Sequence, residues 1–200
     1  KIRAASQIMA NLPYVKGVRI GIKLPDTVNI MIEEESVVYA IKSSDGQWWM
    51  MDSDGRVVEQ ANNAKAATAT QVLGVTLEAP TVNEKGVATE MTPSETNELG
   101  ELIPVTTTGA QRLTAALQIL KALENNDIVG EAASVDVTST EDIILWYGTR
   151  YQVNLGDTSR LDYKVDCMND AILQMSDYQS GVLDISFTIW PNQVGYTPFA

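Results

Sequence analysis

Lys42-Ser43-Ser44-Asp45-Gly46-Gln47-Trp48-Trp49-Met50-Met51-Asp52-Ser53-Asp54-Gly55-Arg56-Val57 is the segment that decides the fold. Two Ser-Asp-Gly tripeptides bracket its apolar centre. Aspartate and glycine tolerate positive φ, so Asp-Gly between apolar runs is a strong hairpin signal. The segment therefore predicts an antiparallel meander with strands over 37–42, 47–51 and 56–60.

Two alternating strands are predicted before this meander. Apolar residues occupy every second position of 18–22 and again of 28–32, and the turn Pro25-Asp26 separates the two runs. Such alternation is typical of half-buried strands. Residues 2–11 instead repeat apolar side chains at helical spacing, which predicts a helix that ends at Leu12-Pro13.

The remainder of the chain alternates strands with two helices. A strand is expected over 72–77, followed by a long exposed loop over 79–101. Thr108-x-x-Gln111 is a capping box, which predicts the start of a helix. Ser159 is expected to cap a second helix. Further strands are predicted at 135–137, 143–146, 151–155 and 182–187, with a last segment at 193–199. The predicted class is α+β, rich in antiparallel strands.

The composition excludes several kinds of active site. The 200 residues contain no histidine and one cysteine, so neither a Ser-His-Asp site nor a His-ligated metal site can form. A net charge of −12 argues against nucleic-acid binding. The chain is predicted to be no enzyme, with no catalytic residue, metal or cofactor. Paired carboxylates at Glu33-Glu34-Glu35 or Glu141-Asp142 leave a hydrolase as an alternative.

Charge is distributed unevenly along the sequence. Residues 1–23 carry five cations and no acid, whereas the final sixteen residues, 185–200, carry no charge. An uncharged end with four aromatic rings suits an edge strand that pairs with another chain, since exposed edges are usually guarded by charge. A tail packed on its own domain is the alternative.

Several motifs, in order, resemble the bacterial cell-division family FtsQ, called DivIB in Gram-positive bacteria. The first part of the chain shows three of them: Leu12-Pro13-Tyr14-Val15, Pro25-Asp26-Thr27-Val28-Asn29-Ile30-Met31-Ile32-Glu33-Glu34 and Asp52-Ser53-Asp54-Gly55-Arg56-Val57. The last part shows three more: Val153-Asn154-Leu155-Gly156, Lys164 and Leu183-Asp184-Ile185. After the glutamates, Glu35-Ser36-Val37-Val38 lacks the arginine and proline that the family often has.

The resemblance implies a single-pass membrane protein at the division septum. Residues 1–35 would be the C-terminal part of an extracytoplasmic POTRA domain, with its first elements and the membrane anchor upstream, and residues 36–200 a β domain. The family has no known catalysis. It is a scaffold that binds FtsB/DivIC and FtsL and regulates septal wall synthesis.

Strand addition at the C-terminal edge of the β domain is the expected mode of partner binding. The expected partner-binding residues are Phe187, Trp190, Val194, Gly195, Tyr196 and Phe199. The basic residues of 1–23 either contact the membrane surface or form ordinary POTRA surface, and the sequence leaves both open. A POTRA-bearing secretion or outer-membrane assembly factor is the main alternative to a division protein.

Overall fold

The computed structural model describes residues 2–12, 14–34, 38–90, 107–188 and 191–199. Its first unit is a helix, α1 (Ile2–Asn11), and an antiparallel hairpin of β1 (Val15–Lys23) and β2 (Thr27–Glu34). The helix and both strands confirm the elements predicted from the sequence. A class of α+β is confirmed as well, because helices and sheets are both present.

The hairpin has one aliphatic face. Val18, Ile20 and Ile22 of β1 stand opposite Ile32, Ile30 and Val28 of β2, so six branched side chains share that face. Every residue of β2 is exposed, and Ile30 keeps 53% of its surface accessible. Much of this aliphatic face is therefore uncovered by the described residues.

A mixed nine-stranded sheet forms the second unit. Its spatial order is β11-β10-β9-β8-β7-β6-β3-β4-β5. The strands are β3 (Tyr39–Ser43), β4 (Trp48–Met51), β5 (Val57–Ala61), β6 (Gln71–Leu77), β7 (Ala132–Asp136), β8 (Ile143–Tyr147), β9 (Tyr151–Gly156), β10 (Gly181–Asp184) and β11 (Gly195–Pro198). The predicted meander is confirmed as β3-β4-β5, with antiparallel pairing at both contacts.

Three strand pairs are parallel, which the sequence patterns did not predict. These are β3 with β6, β6 with β7, and β9 with β10. Parallel neighbours require a crossover connection. Two helices, α3 (Gly109–Asn125) and α4 (Leu161–Leu173), lie in two of these connections. The sheet remains mostly antiparallel, since its other five pairs are antiparallel.

The two long helices begin differently. Thr108 caps α3 through the predicted capping box, in which Gln111 completes the reciprocal bond. The prediction that Ser159 caps α4 is wrong, because the cap residue is Arg160, which makes no side-chain capping bond. The Ser159 hydroxyl donates instead to Asp157 Oδ1 at 2.6 Å. A short helix, α2 (Asn63–Ala66), lies in a stretch with no clear sequence pattern.

The main core lies between one face of the sheet and the helices α3 and α4. It contains Tyr39, Leu120, Val153, Val165 and Leu183, all with essentially no accessible surface. A smaller cluster on the other face, formed by Ala40, Met50, Val58, Ala61 and Ala66, receives Tyr14 from the first unit. Within the described ranges, no helix has the length and apolar character needed to cross a bilayer.

Candidate functional site at the edge strand

The last strand of the sheet, β11, has one paired side and one open side. Gly195 and Thr197 stand opposite Asp184 and Val182 of β10. The amides of Gly181 in β10 and of Ile185 directly after it donate hydrogen bonds toward β9. Because backbone groups point alternately to the two sides of a strand, those of Val182 and Asp184 point toward β11. Tyr196 therefore turns its backbone N–H and C=O outward. No strand among the described residues follows β11 in the sheet order, so no described strand pairs with these groups.

Pro198 limits the number of backbone groups on the open side of β11 that another strand could pair with. Because proline has no backbone N–H, residue 198 offers only its carbonyl to an added strand. An incoming chain could therefore form a full pair of backbone hydrogen bonds at Tyr196 and a single bond beyond it. Affinity at this edge would have to come from side chains as well as from the backbone.

The side chains around β11 lie on both faces of the sheet. Tyr196 and Val194 are half-buried and pack against the main core, and the Tyr196 hydroxyl donates to Ser180 O at 3.1 Å. Phe199 is 43% exposed. Its ring stacks on Trp146, with ring centroids 6.2 Å apart and planes inclined by 27°. Aromatic side chains of this segment therefore lie on both faces of the sheet.

Five of the six predicted partner-binding residues lie in the described part of the chain. Val194, Gly195, Tyr196 and Phe199 lie in or beside β11, and Phe187 follows β10 at the same edge. Phe187 is half-buried, and its ring centroid is 5.6 Å from that of Tyr163 on α4. Trp190 lies outside the described residues. The structure thus brings the other five to one region, while their role in binding stays a prediction.

A buried lysine supports the connection between β9 and α4. Lys164 has 1% of its surface accessible, and its ammonium donates to Leu155 O at 2.7 Å, to Asp157 O at 2.8 Å and to Asp157 Oδ1 at 2.9 Å. Hydrogen bonds from Lys164 and Ser159 hold the pKa of Asp157 at about 2. The charge on Lys164 is thus neutralised where the connection leaves the sheet.

Sequence reasoning named Lys164 only as part of a family motif and assigned no structural role to Lys164 or to Arg160. Lys164 has a detectable signal in the sequence, since it lies one position before the buried Val165 and three after the buried Leu161. A charged residue at that spacing within a buried helix face requires polar partners. Arg160 has no such signal, because two of its three partners, Phe187 and Asn192, are distant in sequence.

The carboxylates proposed for a hydrolase do not converge. Glu33 and Glu34 are exposed on β2, and Glu35 lies outside the described residues. Glu141 lines a groove of about 490 Å³ whose other described walls are hydroxyl, amide and alanine side chains. The geometry of these residues does not favour paired-carboxylate chemistry.

A larger groove, of about 750 Å³, lies between α3 and α4 and includes the acids Asp54 and Asp162. The Lys121 ammonium lies 3.1 Å from Asp54 Oδ1, and its hydrogen bond lowers the pKa of that carboxyl. Asp54 is therefore kept ionised and is poorly suited to donate a proton. Among the described residues, no group of three metal-ligating side chains is found.

Comparison with known proteins identifies relatives. No family model matches the chain. The cell division protein DivIB of Clostridium tetani is 25% identical over 185 residues, which cover 91% of this chain and 62% of that protein. This similarity supports a DivIB/FtsQ family assignment. A second DivIB, from Clostridium acetobutylicum, is 34% identical over 65 residues, or 32% of this chain and 26% of the relative. The chain spans less than two thirds of either relative.

Proposed function

We propose that this DivIB-family chain acts in cell division at the septal membrane. It would be a non-catalytic extracytoplasmic scaffold that binds FtsB/DivIC-like and FtsL-like proteins and so regulates septal wall synthesis. The names of the two relatives support division over the secretion or outer-membrane assembly alternative.

The observation that carries the binding mode is the open side of β11. Tyr196 turns its N–H and C=O outward there, in a sixteen-residue end without formal charge. Strand addition uses such an edge, because the backbone supplies hydrogen bonds and the flanking side chains select the partner. Phe187, Val194, Gly195, Tyr196 and Phe199 are the proposed partner contacts, together with Trp190.

The test is a pull-down of the chain with the extracytoplasmic part of a DivIC/FtsB homologue. We expect capture by the intact chain and loss of capture when residues 186–200 are deleted. Tyr196→Asp and Phe187→Asp should each weaken capture, and circular dichroism would verify that they stay folded. Gln60→Asp, which adds a charge at the opposite edge of the sheet, is the matched control and should bind normally. Undiminished capture by the deletion and by both charged variants would refute strand addition at β11.

We further propose that residues 1–35 are the C-terminal part of a POTRA domain and residues 36–200 a β domain. The uncovered aliphatic face of the β1–β2 hairpin supports this proposal, since a two-stranded hairpin is marginally stable without further packing. Additional elements of such a domain would bury that face. In a form of the protein extended before Lys1, the backbone amides of β1 and β2 should therefore exchange hydrogen more slowly. Equal exchange rates in the two forms would count against the POTRA assignment.

Contact of the basic residues in 1–23 with anionic lipid is a separate proposal. Arg19 and Lys23 are exposed on the polar face of the hairpin, opposite its aliphatic face. Attraction to an anionic surface contributes about 1 kcal/mol per cation close to the headgroups. Liposome co-sedimentation should increase with phosphatidylglycerol content and decrease with salt. Sedimentation that depends neither on phosphatidylglycerol content nor on salt would refute lipid contact.

A further inference from the structure

Three residues with left-handed backbone conformations meet beside the edge strand. Arg160, Phe187 and Asn192 have φ values of 53°, 60° and 56°. Asparagine tolerates this region, but arginine and phenylalanine rarely adopt it. Such conformations persist where surrounding contacts stabilise them, and they concentrate at functional sites.

The side chains of these residues contact one another around the guanidinium of Arg160. This group lies 4.4 Å from the centroid of the Tyr163 ring and 5.7 Å from that of Phe187. Its Nη1 donates a hydrogen bond to Asn192 Oδ1 at 3.0 Å. One cation thus joins the beginning of α4 to two separate points of the chain that enters β11.

These two points bracket the connection between β10 and β11. Phe187 lies three residues after the end of β10, and Asn192 lies three residues before the start of β11. Arg160 itself is fixed at the first turn of α4, where its carbonyl accepts from the Lys164 amide at 3.0 Å. The contacts of Arg160 therefore tie both ends of the connection to the packed helix.

We infer that Arg160 is a positioning residue for the partner edge. Its guanidinium fixes Phe187 and Asn192, which lie on either side of the connection between β10 and β11, and it holds the Phe187 ring near that of Tyr163. The inference rests on the proposed function, because it assigns Arg160 to the same binding edge. Arginine suits this task better than lysine, since a planar guanidinium can stack on rings and donate a directed hydrogen bond at once.

Hydrogen exchange measured by mass spectrometry on the whole chain tests the structural part. The variant is Arg160→Asn, since asparagine tolerates the left-handed backbone and the change removes chiefly the guanidinium contacts. Loss of two cation–ring contacts and one hydrogen bond should speed exchange in peptides covering 185–188 and 191–194 about tenfold, with exchange in α3 unchanged. Arg160→Lys should be intermediate. Unchanged exchange in both variants would overturn the inference.

Binding to the extracytoplasmic part of a DivIC/FtsB homologue tests the functional part. Arg160→Asn should raise the dissociation constant about tenfold, because the edge must then be ordered upon binding. Arg112→Asn is the matched control: Arg112 also donates from its guanidinium to a distant group, Gly74 O at 3.1 Å, but at β6. That variant should leave the binding of folded protein unchanged.

The two experiments separate the inference from the proposed function. If the unaltered chain does not bind the homologue, the proposed partner is wrong, while the exchange experiment still decides whether Arg160 positions the connection. If the unaltered chain binds and Arg160→Asn binds equally well, Arg160 has no positioning role in recognition.

Discussion

The two edge strands of the nine-stranded sheet, β5 and β11, differ in how far the rest of the chain pairs with their backbones. At β5, the amide of Val57 donates to Glu84 O and the amide of Asn83 donates to Val57 O, both at 2.8 Å. At β11, no described strand lies beyond Tyr196. One edge is thus partly paired by its own chain, and the other is left available.

Charge follows the same division. Glu59 of β5 forms an ion pair with Lys65 and accepts a hydrogen bond from the Tyr14 hydroxyl at 2.6 Å. No charged residue occurs from Ile185 to the end of the sequence. An edge strand whose outer side is neither paired nor charged can cause aggregation. That β11 is left in this state, while β5 is not, is consistent with a binding role for β11.

The largest effect is expected from blocking the outward amide of β11. Tyr196→Pro removes the outward N–H of β11, which pairs with no described strand, as well as the Tyr196 ring. We expect the affinity for a DivIC/FtsB homologue to decrease about a hundredfold, and about tenfold for Tyr196→Ala, which keeps the N–H. Isothermal titration calorimetry would measure both dissociation constants.

Gln60→Pro is the matched change at β5. The register of β4 with β5, with Glu59 opposite Met50 and Ala61 opposite Trp48, turns the backbone of Gln60 away from β4. This variant should bind the homologue normally. Equal losses at both edges, or equal affinities for Tyr196→Pro and Tyr196→Ala, would contradict the comparison.

Removal of the buried charge of Lys164, between β9 and α4, should have the next largest effect. Lys164→Met leaves Leu155 O and Asp157 O without their donor, which should lower the free energy of unfolding by about 2–4 kcal/mol. Lys121→Met, near the guarded edge, breaks an ion pair whose side chains are 51% and 61% exposed, and it should cost about 0.5 kcal/mol or less. Urea denaturation followed by circular dichroism would measure both. Similar losses for the two lysines would show that burial does not decide the cost.

Loss of the Tyr14 hydroxyl tests the side-chain contacts at the edge strand β5. Tyr14→Phe removes the hydrogen bond to Glu59 and should reduce the free energy of unfolding by about 1 kcal/mol. Tyr178→Phe is the control, because Tyr178 is 89% exposed. Thermal unfolding of the two variants in parallel should show a lower midpoint for Tyr14→Phe alone, and an unchanged midpoint would mean that this bond adds no stability.

The smallest effect is a pH dependence near the open edge. The pKa of Asp157 is about 2 in the folded chain, below its ordinary value, chiefly because Lys164 donates a hydrogen bond to it. Asp157 therefore adds stability that is complete above about pH 4 and is lost as the pH falls toward about 2. The stability difference between the unaltered chain and Asp157→Asn should shrink over that interval. A difference that is constant from pH 6 to pH 3 would contradict this assignment.

Much of the local structure could be predicted because its signals are local. The Ser-Asp-Gly turns, the alternation in 18–22 and the capping box at Thr108 each act over a few residues, and each produced the expected element. The cap of α4 was missed for the opposite reason. Arg160 adopts its conformation through contacts with Tyr163, Phe187 and Asn192, which no short window of sequence contains.

The sequence by itself determined most of the strands, the two long helices, the Ser-Asp-Gly turns, and that the final sixteen residues carry no charge. Only the tertiary structure decided which strands are neighbours, and hence that β11 is an edge while β9 and β10 run parallel. The physical reason is the sequence distance over which each interaction acts. Propensity, turns and caps depend on neighbouring residues, whereas an open edge, a satisfied buried lysine and a cation between two rings depend on groups that only the folded chain brings together.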